Sequence, residues 1–360
     1  MADDSHPAHL SPSELGTKDY WETFYARTLS HLSTKHTTTT TTTTKPTPNT
    51  NTDSSSEDED EEDDIDDDSD PGTSWFSEHN APDKVLQFLT DEEFPLAPVN
   101  TNTNDNNQNG DEQAPSILDL GTGNGSMLAL LRKRGGYKGV MVGIDYSIRS
   151  VQLARELQRL RIHSAYLSDS DEESDEDEGD EGVKEGNGEG GDTNIRFEEW
   201  DILHGDVYQT STSEEEEGDG KGVKGGKVDW FPYDKGGFDI VLDKGTFDAV
   251  SLSDEVIPDA DGAAAGEGHA SGKTVQRRVC ERYPGIVRGL VRKGGFVVVT
   301  SCNWTEEELV AWFTRGGSGT GDGGDGEEDK FVVWGRVEYP RFRFGGREGQ
   351  GVCTVCFQRV

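Results

Sequence analysis

The chain has 360 residues, enough for one large α/β domain or two small ones, with 72 acids against 34 bases, a formal net charge of -38 and 31% hydrophobic residues. No run of about eighteen apolar residues offers a membrane-spanning helix. The opening MADDSHPAHL lacks the basic and apolar regions of a secretory signal, and four cysteines are too few for a disulfide framework. These features argue against membrane-spanning, secreted and disulfide-scaffold classes, and an intracellular protein is the expectation. The acidity is uneven. Stretches 53–70, 169–192, 214–219 and 322–329 hold 36 of the 72 acids and one base, Lys184, so the rest of the chain is close to neutral. With no basic stripe, nothing supports nucleic-acid binding.

In chain order, Ser13–Leu29 is the first segment with structure potential. Thr17 could cap a short helix carrying Tyr20, Trp21, Phe24 and Tyr25, four aromatics that need a surface to cover. A Thr-rich and then acidic stretch follows, a composition that cannot build a packed core. Asp83–Leu89 reads as a short helix. Ser116–Leu120 is an apolar run stopped by Gly121, Ser126–Arg134 a helix, and Gly139–Ile144 a buried strand ending at Asp145. Ile148, Val151, Ala154, Leu157 and Leu160 recur every three residues, a helical stripe. Strand–helix–strand–helix is the signature of a parallel sheet with helices on its faces.

Further strands are expected at Ile195–Ile202, Phe238–Asp243 and Gly295–Cys302, and a helix over Thr274–Val291 interrupted at Pro284. Thr305–Phe313 reads as a helix whose Thr cap is followed three residues on by Glu308, a capping box. Phe331–Tyr339 and Gly351–Val360, joined by a Gly-rich loop, should pair antiparallel. Seven strands result, five in α/β alternation and a terminal hairpin. The expected organisation is an N-terminal helical segment, 1–30, packed on the core, then a disordered insertion, 31–73, then one domain over 74–360. Low-complexity insertions interrupt that domain at 100–113, 168–193, 209–227, 259–272 and 316–329.

The chemistry gathers at strand ends. The first βα turn reads Asp119-Leu-Gly121-Thr122-Gly123-Asn124-Gly125, whose glycines let backbone approach a ligand at a helix N-terminus. Its spacing is G-x-G-x-G, with Ser126 where the dinucleotide fingerprint wants a third glycine. The D-x-G-x-G form resembles motif I of class I S-adenosylmethionine-dependent methyltransferases. Asp145, at the end of the second strand, can accept from both ribose hydroxyls in a methyltransferase or a dinucleotide enzyme alike. Asp201 follows the third strand, where methyltransferases place an acid on the adenine amine, with Ile202 and Leu203 lining the base. Asp243 ends the fourth strand beside the topological switch point, where ligands of open α/β sheets sit. It should face the transferred methyl, where a carboxylate could orient an amine and stabilise its growing charge; a structural cap for the Gly245 turn is the other reading. Cys353 and Cys356 form a C-x-x-C, but residues three apart on a strand point to opposite faces, and the histidines show no ligand spacing, so no metal is expected.

At this point a narrower resemblance appears. Leu15-GTKDYW-Trp21, Trp75-Phe76, Ile117-LDLGTGNG-Gly125, Gly143-IDYS-Ser147, Asp243-KGTFDA-Ala249, Ser301-CNWTEEEL-Leu309 and Phe342-RFGGREG-Gly349 are together similar to the protein-lysine methyltransferases of elongation factor 1-alpha, called Efm4 or See1 in fungi. The resemblance implies a seven-stranded Rossmann-like class I fold, mostly parallel with a C-terminal antiparallel hairpin. It implies S-adenosyl-L-methionine as methyl donor and mono- and dimethylation of one lysine on elongation factor 1-alpha, in the cytoplasm; a monomer is expected, with no direct contact to nucleic acid or membrane. Carried over, Trp75 walls the donor pocket, and Asp119, Gly121, Thr122, Gly123, Asn124, Gly125, Asp145, Tyr146, Asp201 and Ile202 bind the donor. Asp243 contacts it and faces the substrate. Ser77 stands where relatives usually show Gly. The competing readings are a methyltransferase for another protein, RNA or a small molecule, an NAD-dependent oxidoreductase, and a non-catalytic acidic scaffold.

Overall fold

The computed structural model describes residues 6–41, 72, 76, 79–101, 114–166, 193–208, 227–257, 277–315, 329–344 and 347–360, without the side chains of 33–41 and 342–348. Most of the expected insertions, and Trp75, lie outside these residues. The first helix, α1 (Lys18–Thr41), runs past the boundary expected at residue 30, and Leu32 joins Trp21 and Tyr25 in the core. Helices α2 (Ala81–Thr90) and α3 (Pro98–Thr101) precede the first strand.

The central unit alternates as the periodicity predicts. Strand β1 (Ile117–Leu120) leads to α4 (Ser126–Lys133), β2 (Met141–Asp145) to α5 (Ile148–Leu160), then come β3 (Ile195–Glu199), β4 (Phe238–Lys244) and α6 (Thr246–Ser251). Helix α5 starts where Ser147 accepts the Ser150 amide at 3.2 Å. After it come α7 (Tyr283–Leu290), β5 (Val291–Ser301), α8 (Glu306–Arg315), β6 (Phe331–Val337) and β9 (Cys353–Arg359). A small separate hairpin, β7 (Arg341–Phe344) with β8 (Arg347–Gln350), occupies what the sequence offers as a Gly-rich loop. Pro284 opens α7 rather than interrupting a longer helix, because proline is tolerated in a first turn where its missing N–H has no partner to lose. The capping box of α8 forms as expected: the Thr305 amide and hydroxyl each donate to Glu308 at 2.9 Å.

The main sheet has seven strands in the order β3-β2-β1-β4-β5-β9-β6. The first five are parallel, and β9 runs antiparallel to both β5 and β6. Alternate strand residues feed two cores. Ile117, Ile240 and Leu242 pack with α1, α2, α4 and α5 on one face, while Leu118, Leu120 and Val241 pack with α6, α7 and α8 on the other. Strands buried on both faces explain the unbroken apolar runs. Cys356 and Cys353 fall in these two different cores, as the strand period requires. The chain order reverses between β1 and β4, and ligands of such sheets sit outside the carboxyl ends of the strands at that reversal.

Candidate active site

A cavity of about 270 Å³ lies at the carboxyl ends of β1, β2, β3 and β4. Its floor is the turn after β1. Gly121 and Gly123 take φ of 57° and 58°, the left-handed region that L side chains avoid. A Cβ on Gly121 would stand 2.4 Å from Thr246 Oγ1, so the β1 and β4 turns can meet only because this position has no side chain. Thr246 fixes that meeting by donating to the Leu120 carbonyl at 2.6 Å.

Of the residues the sequence singles out, Gly121, Thr122, Gly123, Asn124, Asp145, Tyr146, Asp201 and Ile202 line the cavity. Asp145 Oδ2 accepts from the Gly123 amide at 3.1 Å and the Ser150 hydroxyl at 2.7 Å, and Oδ1 from the Ser147 amide at 2.9 Å. The carboxylate thus braces the turn after β1 against the start of α5, and burial raises its pKa. Asp201 closes an Asx turn. Its Oδ1 accepts from the Leu203 and His204 amides at 2.9 and 3.3 Å, and Oδ2 lies 3.0 Å from His204 Nδ1.

Three expectations meet a different geometry. Asp119 lies under the turn rather than on the cavity wall, 3% exposed, with its carboxylate taken by the Thr122 hydroxyl at 2.8 Å. Burial pushes it up to about 6. Gly125 is the N-cap of α4 and does not line the cavity. Asp243, expected to face the methyl, turns its carboxylate inward and is 1% exposed. Its Oδ1 accepts from the Thr246 and Phe247 amides at 2.9 and 3.1 Å, capping α6, and Oδ2 accepts from the Tyr283 hydroxyl at 2.8 Å. Burial holds it up at about 7. This is the cap of the Gly245 turn, the alternative the motif itself allows.

The neighbour Lys244, one residue on and therefore on the opposite face of the strand, lines the cavity instead. Its Nζ is 5.6 Å from the Phe76 ring centroid; burial lowers its pKa, while Asp119 and Asp243 pull the other way. The sequence also misses Trp21 and Tyr25 as cavity walls, although their aromatic spacing marks a face that needs cover. Trp21 Nε1 donates to the Leu15 carbonyl at 2.8 Å. Trp304 packs between helices, its Nε1 donating to Ser251 Oγ at 3.2 Å. Among the described residues one trio, His6, His9 and Glu281, has ligand atoms close enough for a metal. The Glu281 carboxylate is already held by Arg277 Nε at 2.9 Å and the Arg278 amide at 2.8 Å, and both rings stack on Trp312.

A methyltransferase-domain profile matches residues 111–168, a stretch that contains β1, α4, β2 and α5. The protein-lysine N-methyltransferase EFM4 of Saccharomyces cerevisiae is 29% identical over 97% of this chain and 96% of its own length. Its Schizosaccharomyces pombe counterpart is 27% identical over 97% and 95%. The human EEF1A lysine methyltransferase 2 is 24% identical over 97% and 88%. The motif likeness therefore extends over nearly the whole chain. Fold, cavity and likeness together identify the chain as a class I methyltransferase, similar from end to end to EFM4 and EEF1A lysine methyltransferase 2.

Proposed function

We propose that this methyltransferase uses S-adenosyl-L-methionine to mono- and dimethylate a lysine of translation elongation factor 1-alpha, as a cytoplasmic monomer. The observation that carries the reading is a built small-molecule cavity at the β1–β4 reversal, in a chain similar over nearly its full length to a protein-lysine N-methyltransferase and to EEF1A lysine methyltransferase 2.

The wall fits the donor. Trp200, Ile202, Leu203 and Val250 form an apolar side suited to a purine. Asp145 stands at the end of β2 to receive hydroxyl hydrogen bonds, and the Gly121–Gly123 backbone borders the cavity without side chains in the way. Lys244 offers a cation to a ligand carboxylate, and Trp21 and Tyr25 add aromatic wall. When bound, the donor supplies an electrophilic sulfonium methyl.

The chain's own contribution is positioning, which converts a bimolecular encounter into an oriented one. Asp243 acts at one remove in this account: by capping α6 it fixes the Lys244–Thr246 turn that forms the wall. Substrate lysine, with a solution pKa of about 10.4, must arrive or become neutral before it attacks. In cells lacking this chain, one lysine of elongation factor 1-alpha should lose its methyl groups by mass spectrometry and regain them on re-expression. Unchanged methylation would overturn the substrate assignment.

A further inference from the structure

The two walls of the cavity are carried by segments far apart in sequence. One is the turn after β3, Trp200–His204; the other is the segment after α6, Ser253 and Glu255. A single ring joins them. His204 Nδ1 lies 3.0 Å from Asp201 Oδ2, and Nε2 lies 2.8 Å from Glu255 Oε1. A neutral imidazole has one N–H and one lone pair, so it can satisfy only one of two carboxylates; facing both requires the imidazolium, with a donor on each nitrogen.

The segment that receives this bridge is itself a junction. The Glu255 carbonyl accepts from the Val279 amide at 3.1 Å, and Arg278 donates to the carbonyls of Ser251, at 3.0 Å, and Ser253. The Leu252 carbonyl accepts from the Ser13 amide at 3.0 Å, tying in the N-terminal segment that carries Gly16, Lys18 and Trp21 to the cavity. Closing the His204 bridge therefore fixes the turn after β3 to the assembly forming the opposite wall.

We infer that His204 is a positioning residue for the methyl donor: as an imidazolium clamped between Asp201 and Glu255, it locks the two walls at the end of the cavity that receives the purine. This rests on the methyl-donor reading of the cavity. The same clamp engages Asp201 Oδ2, while Oδ1 accepts from the Leu203 and His204 amides, so the acid at this strand end serves the wall.

The charged groups facing the ring are Asp201 from its own turn and Glu255 from the segment after α6; Asp254 and Arg278 stand on the segments behind Glu255. Both hydrogen bonds raise the histidine pKa above its ordinary value of about 6.5. The clamp is therefore complete below that value and is lost as pH rises through the raised one.

The test is calorimetric titration of the full chain with S-adenosylhomocysteine at about pH 6 and about pH 9, for the wild type, His204→Gln and Glu255→Gln. Wild-type affinity should fall about five-fold between the two conditions, the scale of an exposed ion pair. Both variants should bind at the weaker level throughout, with less than two-fold change. The other residues lining the cavity are the same in all three proteins, so the difference between their pH profiles reads the clamp. Variants that bind the ligand and retain the wild-type pH profile would overturn the clamp. Absence of wild-type binding at both values would instead overturn the donor reading, and the clamp with it.

Discussion

Asp145 and Asp243 both lie at the carboxyl ends of strands flanking β1, yet their carboxylates do different work. Asp145 reaches the cavity while bracing Gly123, Ser147 and Ser150; Asp243 is spent on the α6 amides and Tyr283. Asp145→Ala should weaken S-adenosylhomocysteine binding by at least about ten-fold, as expected from losing a charge-assisted hydrogen bond of roughly 1.5–3 kcal/mol. Asp243→Ala should show first as lost stability, about 1–2 kcal/mol in denaturant titration, because a helix cap is removed. A large loss of turnover at unchanged stability would return Asp243 to the reacting centre. The positions of both acids were legible in the sequence, since each follows an apolar run that reads as a buried strand. The direction of each side chain was not. Tyr283 settles the orientation of Asp243 from forty positions away, and no local pattern announces that partner. His204 was hidden for the same reason, since Glu255 reaches it only through the tertiary fold.

At the scale of elements, the N-terminal segment is a wall of the site and not an appendage. Its fit depends on Gly16: a Cβ there would lie 2.3 Å from the Leu252 carbonyl carbon, an approach that main chain cannot yield without moving. Gly16→Ala should therefore lower the melting temperature by several degrees and weaken S-adenosylhomocysteine binding together, since Trp21 and Tyr25 follow on α1. A variant that melts lower but binds normally would separate the strap from the pocket. Helices with a clean stripe or cap, α5 and α8, were readable from Ile148 and Thr305 onward, because local chemistry decides them. The β7–β8 hairpin was not, since glycines in RFRFGGREG argue for a loop and pairing alone overrides them. Pro284 misled in the opposite direction: it marks a helix start as readily as a break.

For the whole molecule, charge sets the pH response. Asp119, Asp243 and Asp248 are buried, and burial raises their pKa values to about 6, 7 and 6. A carboxyl whose folded pKa exceeds its unfolded value of about 4 takes up protons on folding, so its contribution weakens as pH climbs from about 4 to about 7. Repulsion within a chain of formal net charge -38 grows in the same direction. The melting temperature should accordingly rise by several degrees when pH is lowered from about 7.5 to about 5.5. A fall over that window would mean that these buried acids are stabilised chiefly as anions by their hydrogen bonds. The four acid-rich stretches fall almost entirely outside the described residues. The α/β alternation announced the parallel strands and the terminal antiparallel pair, but nothing local places β9 between β5 and β6.

The central claim is methyl transfer to a lysine of elongation factor 1-alpha from a donor held at the β1–β4 reversal. Its most direct test is transfer of labelled methyl from S-adenosylmethionine to the purified factor, with wild type and Asp145→Ala side by side. Label is expected on one lysine with the wild type and little or none with the variant. Label that persists in Asp145→Ala, or a factor left unlabelled by wild type that binds the donor, would contradict it.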